Sequence, residues 1–279
     1  MMNLSQPHGR LALINGRIVL PERVDEGQAL LLEGERILGL VEAGAVGSEI
    51  ERLDVGGRLI CPGLIDLHIH GAVGHTFNEP TAEAFAAITQ ETARRGITGL
   101  LATTSTAPIA DLVKSLRMCR EWLDSPRPGS RILGVHVEGP YFCRAQAGAQ
   151  DPANIRTPDD GTVEQLLEDH DLIKIMTYAP ELPGALALTD RLVELGIVPA
   201  AGHSSAREEH VQAAMARGLR HIIHIWSAQS TTVREGPWRK PGLLEASLTY
   251  DSLSVEMIAD NRHLPPTLMK LAYKCIGPE

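Results

Sequence analysis

Cysteine is scarce in this chain and never closely paired. Cys61, Cys119, Cys143 and Cys275 are scattered through 279 residues, which argues against a CxxC zinc knuckle and offers no disulfide framework. The thiols are expected to be reduced and buried. Long apolar runs are missing too: no stretch reaches the roughly 18 to 20 residues of a membrane span, and the opening MMNLSQPHGR has no apolar signal core. No membrane partner is expected, and the cytoplasm is the expected compartment. There is no basic run, and the formal net charge is -9. Nucleic acid therefore finds no electrostatic footprint, although a local basic pocket for an anionic metabolite stays open. A small molecule is the expected partner. The Gly-rich turn GxGxxG is absent after the first strand candidate of the larger portion, against a doubly wound dinucleotide-binding sheet.

What is present is 43% hydrophobic residues, enough for one substantial core and a small appendage. From about Leu11 to Leu59 short apolar runs alternate with Gly-containing turns (LALINGRIVL, ALLLEGERILGL, EIERLDVGGRLI). This rhythm suits short antiparallel strands and is read as a small β-sandwich portion over residues 1–61. The rhythm then changes. GLIDLHIHG, ITGLLATTST, ILGVHVEGPYF, LIKIMTYAPE, GIVPAAGHSS, HIIHIWSAQ and LSVEMIAD are strand candidates, separated by amphipathic segments such as TAEAFAAITQETARRG and AREEHVQAAMARG. Strict alternation means parallel strands with right-handed crossovers. Polar residues at the C-terminal ends of several strands favour an α/β fold of the (β/α)8 TIM-like barrel type over residues 62–279. The last segment, LPPTLMKLAYKCIGPE, reads as the helix after the seventh strand with GPE as its stop. An eighth strand is due within about 2 to 6 residues. The barrel therefore reads as lacking it, either as a shortened product of a longer protein or as an open barrel.

The polar residues at those strand ends carry the chemistry. Alternation turns Asp66, His68 and His70 to one side of the first strand, and His136 and Glu138 inward on the third. A lone HxH is a weak signal that ordinary hydrogen bonding could satisfy. Glu138, in the apolar GVHVEGP, is stronger, because a buried carboxylate needs a partner. His203 in AAGHSS and His224 in HIIHIWSA add imidazoles from later rim positions. A His2Glu set with an open place is the catalytic pattern of zinc. Lys174, at the far end of its strand, is expected to face solvent. His221, on the face opposite His224, is expected to be structural. Trp226 and Trp238 either line a pocket or pack against another subunit, and His8, His75, His170 and His210 stand alone.

In order along the chain, PGLIDLHIHG, GVHVEGPYF, GAQDP, MTYAPE, AAGHSSA, HIIHIWSAQ, WRKPG and IADNRH resemble the amidohydrolase superfamily and, within it, the N-acetylglucosamine-6-phosphate deacetylase family. The resemblance implies a metal-dependent barrel with a small β-sandwich, working as a homodimer on an amino-sugar phosphate. It assigns Glu138, His203 and His224 to a primary divalent metal, zinc or a similar ion, and His68 with His70 to a second metal position filled only in some relatives. A bound cation of this kind lowers the pKa of its water from about 15.7 toward 7 and polarises an acetamide carbonyl.

The resemblance also assigns substrate positions. His263 matches a substrate-contacting histidine, and Arg239 matches an arginine that holds the sugar phosphate, often across a dimer interface. Gln150 stands in place of a histidine near the scissile carbonyl. In HIWSAQ, Ser227 replaces an asparagine and Ala228 follows it in the same pocket stretch. Asn261 replaces a glycine. The family's general base, an aspartate ending the eighth strand, lies beyond Glu279, and Asp260 matches a different position. Little turnover is expected from these 279 residues alone. Two alternatives stay open: a related amidohydrolase acting on another N-acyl or cyclic amide compound, and a non-catalytic protein that binds metal or sugar phosphate.

Overall fold

A computed structural model describes residues 9–125 and 127–277. The chain divides between Gly63 and Leu64 into two compact units. His8, one of the isolated histidines, lies outside the described residues.

The smaller unit is built from two sheets. Arg10–Ile14 sits between Gln28–Glu33 and Glu51–Asp54, with Arg36–Glu42 at the edge; Arg17–Val19 sits between Val24–Glu26 and Leu59–Ile60. Buried Ala12, Ala29 and Val46 form a core with Ile14, Leu31, Val41 and Ile50. The expectation of antiparallel strands holds for sequence neighbours, such as Leu30 opposite Leu40, and for Arg10–Ile14 with Gln28–Glu33. It fails for Arg10–Ile14 with Glu51–Asp54 and for Arg17–Val19 with Leu59–Ile60, which pair parallel. These partners are far apart in sequence, so no tight turn imposes reversal.

The larger unit is a run of strand–helix repeats: β1 Leu64–Ile69, α1 Ala82–Arg94, β2 Ile97–Thr104, α2 Ile109–Leu123, β3 Arg131–Glu138, α3 Val163–Leu167, β4 Ile173–Tyr178, α4 Ala185–Glu194, β5 Val198–Ala201, α5 Glu208–Arg217, β6 His221–Ile222, α6 Leu243–Thr249, β7 Ser254–Val255 and α7 Pro266–Ile276. The seven strands form one parallel sheet in sequence order, with β1 and β7 at its edges. It is a TIM-like barrel sheet, curled and incomplete.

Local chemistry sets the helices. Thr81 caps α1 by accepting from the Ala84 amide, and the buried face carries Ala84, Phe85 and Ile88. On α2, Leu112, Leu116 and Cys119 recur at helical spacing and are buried. α7 begins with Pro266 and stops at Gly277, whose φ is 83°. Strand alternation then separates two apolar layers. Leu100 and Met176 join the core that includes Phe85, Leu116 and Leu188 from the helices, whereas their neighbours Leu101 and Ile175 meet Ala200 and Ile223 in a separate cluster.

One sequence expectation needs correction. Only Cys119 is buried; Cys61 and Cys275 are exposed, and all four thiols are free. His210 Nδ1 accepts from the Arg207 amide at the start of α5. Lys174 is exposed, with Nζ on the Asp171 carbonyl at 3.0 Å. Among the described residues no helix is long and apolar enough to cross a membrane.

Candidate metal centre

Glu138, the last residue of β3, is only 1% exposed, and imidazoles surround its carboxylate. Oε1 lies 3.0 Å from His224 Nε2, 3.2 Å from His203 Nε2 and 3.4 Å from His68 Nε2. Oε2 lies 3.2 Å from His70 Nε2 and also accepts from the Gln150 side-chain amide. Gln150 is held in turn by the Thr106 amide, which donates to its Oε1 at 2.7 Å. Five of the residues singled out in the sequence thus come together around a sixth, Glu138.

The backbone leaves regular geometry to reach this arrangement. β5 and β6 stop at Ala201 and Ile222, and two residues beyond each end His203 and His224 have φ of 45° and 22°. Trp226 and Ala228 follow at 72° and 50°. Such left-handed conformations cost non-glycine residues about 1–3 kcal/mol each and persist where the surroundings enforce them. Phe142 supports the His203 ring, with ring centroids 4.5 Å apart. Gly139, directly after Glu138, has φ 84°, and a Cβ there would lie 2.5 Å from Thr106 Oγ1 and 2.6 Å from Phe142 Cε2. Glycine is what allows the chain to turn at once behind the carboxylate.

The ring protons reveal an electrostatic conflict. His203 Nδ1 is 2.9 Å from the Gln146 carbonyl and His68 Nδ1 is 2.7 Å from Glu256 Oε2. Carbonyls and carboxylates only accept, so both rings carry a proton on Nδ1. If neutral, each turns an Nε2 lone pair toward Glu138, which is also an acceptor. A cation resolves this, either as extra ring protons or as a metal ion among the ligands. Burial on its own raises the Glu138 carboxyl, but hydrogen bonds from His203, His224, His68 and His70 outweigh it and hold the group well below the carboxylate range. Burial lowers His68, yet its hydrogen bonds to Glu138 and Glu256 prevail and push it up to about 10. The donor atoms are imidazole nitrogen and carboxylate oxygen, a set suited to zinc and related divalent ions. Ligand atoms of His68, Glu138 and His224 all lie within 4.8 Å of one another. By donor chemistry and spacing, the residues fit a metal ion.

A second trio, His68, His136 and Glu256, is as closely spaced, but His136 has no nitrogen to spare. Its Nδ1 donates to the Leu67 carbonyl at 3.0 Å and its Nε2 accepts from Thr177 Oγ1 at 2.7 Å. Burial first, and the neighbouring His68 second, lower His136 to about 3 and keep it neutral.

Among the described residues, none of the other expected site residues hydrogen-bonds the Glu138 carboxylate or an imidazole ring around it. Ser227 and Ala228 occupy the half-buried turn after β6; the Ser227 amide donates to the His224 carbonyl at 3.0 Å, and the Ala228 carbonyl accepts from the Ser204 amide at 3.1 Å. Arg239 is exposed on a hairpin, Val233–Glu235 with Trp238–Lys240, and donates to the Pro237 carbonyl. His263 is exposed and pairs with Asp260 Oδ2 at 2.8 Å. His221, expected to be structural, is hydrogen-bonded through both ring nitrogens, Nδ1 to Ser254 Oγ at 2.7 Å and Nε2 to Glu256 Oε1 at 2.9 Å; strand geometry ends one residue later, at Ile222. Glu256 itself was not singled out. Its signal was the same as that of Glu138, one carboxylate in an apolar strand run.

The chain is 34% identical over 223 residues to the N-acetylglucosamine-6-phosphate deacetylase of Vibrio furnissii, covering 78% of this chain and 54% of that protein. It is 29% identical over 219 residues to the N-acetylgalactosamine-6-phosphate deacetylase of Escherichia coli O157:H7, covering 78% and 57%. It superposes on a variant of the Mycobacterium smegmatis N-acetyl-D-glucosamine-6-phosphate deacetylase, solved in complex with N-acetyl-D-glucosamine-6-phosphate, with a TM-score of 0.86 at 28% identity, covering 98% of this chain and 69% of that one. The chain spans about half the length of the curated relatives it matches. A sequence model described as the amidohydrolase family matches residues 59–274. Most of the chain lies within that match, and it belongs to the amidohydrolase family.

Proposed function

We propose that this chain carries the divalent-metal centre of a hydrolase that removes the N-acetyl group from an amino-sugar phosphate, N-acetylglucosamine 6-phosphate being the leading substrate. One observation carries the reading: a 1% exposed carboxylate, Glu138, is ringed by the Nε2 atoms of His68, His70, His203 and His224. Glu138, His203 and His224 are proposed as primary ligands, and His68 with His70 as ligands to the same ion or to a second one, zinc being the leading candidate. When bound, such an ion acidifies water and polarises an amide carbonyl. The chain's own groups orient the site. Gln146 and Glu256 fix two ring protons, Phe142 supports one ring, and Gln150 offers an amide beside the carboxylate. Arg239 is proposed to take the substrate phosphate, in its own site or in that of a second copy in a homodimer, and His263 to contact the sugar. Ser227 and Ala228 are proposed as pocket lining. Four free thiols favour a reducing compartment, the cytoplasm. Hydrolysis also needs a general base, which the resemblance assigns to an aspartate ending an eighth strand.

A second reading, hydrolysis of another N-acyl compound, is favoured by Gln150, a neutral amide already engaged by Glu138 and the Thr106 amide. The test is calorimetric titration of the zinc-loaded chain with N-acetylglucosamine 6-phosphate, coupled to an acetate assay on this chain and on one extended by the downstream coding sequence. Binding, with acetate released by the extended chain, supports the proposal. Absence of binding to either chain removes the sugar phosphate from it.

A further inference from the structure

Glu256 follows β7 directly and is locked by its backbone. Its amide donates to the Ile222 carbonyl at 2.9 Å, and its carbonyl accepts from the Ile225 amide at 2.9 Å, next to His224. Its side chain, 14% exposed, bridges two histidines: Oε2 to His68 Nδ1 at 2.7 Å and Oε1 to His221 Nε2 at 2.9 Å. His221 continues the chain, with Nδ1 2.7 Å from Ser254 Oγ, and Ser254 Oγ reaches the Arg220 carbonyl at 3.2 Å. The hydrogen-bonded line thus runs from Arg220 through Ser254, His221 and Glu256 to His68, whose Nε2 lies 3.4 Å from Glu138 Oε1.

We propose that Glu256 is a positioning residue: it accepts the Nδ1 proton of His68 and thereby aims the His68 Nε2 lone pair at a cation beside Glu138. The inference rests on the metal reading given above. An imidazole ligates through one nitrogen only when its proton sits on the other, and a carboxylate behind the ring fixes that choice while making the ligating nitrogen more basic. The rest of the line gives Glu256 an unusual tolerance. If Glu256 becomes glutamine, the amide oxygen can still accept from His68. The new NH2 then faces His221 Nε2, whose ring proton moves to Nδ1 and is accepted by Ser254, and Ser254 donates onward to the Arg220 carbonyl. Every group stays satisfied. Leucine in the same place leaves the His68 Nδ1 proton without an acceptor.

The experiment measures zinc affinity of the whole chain by competition with a chromophoric chelator, for the native protein, Glu256→Leu and Glu256→Gln. Both variants lose the same charge, so their difference isolates the acceptor. Glu256→Leu is expected to weaken zinc about 10- to 100-fold and to alter the visible spectrum of the cobalt-substituted protein, while Glu256→Gln keeps most of the affinity. Equal affinity in all three, or equal losses in both variants, overturns the proposal while leaving the metal reading intact. No zinc binding by the native chain overturns both. If the leucine variant does not fold, two-bond 1H–15N spectra of the native zinc-loaded protein decide the question: His68 must carry its proton on Nδ1, and a proton on Nε2 refutes the assignment.

Discussion

Replacing Glu138 by glutamine keeps the shape of the side chain and removes the charge that four imidazoles face. Burial makes the change consequential, since the carboxylate is 1% exposed and lies 3.0–3.4 Å from the Nε2 atoms of His224, His203, His70 and His68. Breaking a buried ion pair ordinarily costs about 3–5 kcal/mol because the surviving charge has nowhere to go. Imidazoles differ from guanidinium groups in that they can shed a proton, so the metal-free variant is expected to lose nearer about 1–3 kcal/mol, the cost of imperfect hydrogen bonding. The response to metal should differ far more. Zinc at 100 times its dissociation constant stabilises a single-site protein by about 2.7 kcal/mol, which raises Tm by about 5–10 °C for a domain of roughly 200 residues. Differential scanning fluorimetry against a zinc series should show this rise in the native chain and none in Glu138→Gln. A variant that gains as much from zinc as the native protein would refute the reasoning, because the ion would then be bound somewhere else.

Other outcomes follow from the same contacts. Zinc uptake measured by calorimetry in buffers of different ionisation enthalpy should release about one proton per ion near pH 7, since His68, raised to about 10 by Glu138 and Glu256 against the effect of burial, must give up its Nε2 proton. That release should diminish as the pH rises through 10, above which the ring is already neutral. Gly139→Ala, with φ 84° and a Cβ placed 2.5 Å from Thr106 Oγ1, should cost about 1–3 kcal/mol in urea denaturation and weaken zinc binding with it. Iodoacetamide followed by mass spectrometry should label exposed Cys61 and Cys275 in the native protein and spare Cys119, whose thiol burial pushes up to about 12, until the chain is unfolded.

Glu138 was legible in the sequence because an unaccompanied carboxylate inside GVHVEGP contradicts the apolar run around it, and His203 and His224 because each stands just past an apolar strand. The strand–helix rhythm was equally plain, since every crossover in the larger unit joins neighbours in the sheet. What stayed hidden depends on backbone turns that composition does not encode. His221 looked remote from the site because alternation was carried through Ile222 to His224, where φ is 22° and strand geometry has ended. The Glu256 bridge follows from the parallel register of β6 with β7, in which His221 faces Ser254 and Ile222 faces Val255. In the smaller unit the parallel pairs join strands remote in sequence, and local turn signals cannot report them. Arg239 and His263 drew attention by resemblance, and both lie on exposed segments.

Crystals grown with zinc and measured on both sides of its absorption edge provide the most direct check. The account requires an anomalous difference peak within bonding distance of the Glu138 carboxylate and of Nε2 of His203 and His224. A strong peak elsewhere, or a featureless map at that carboxylate under saturating zinc, would contradict it.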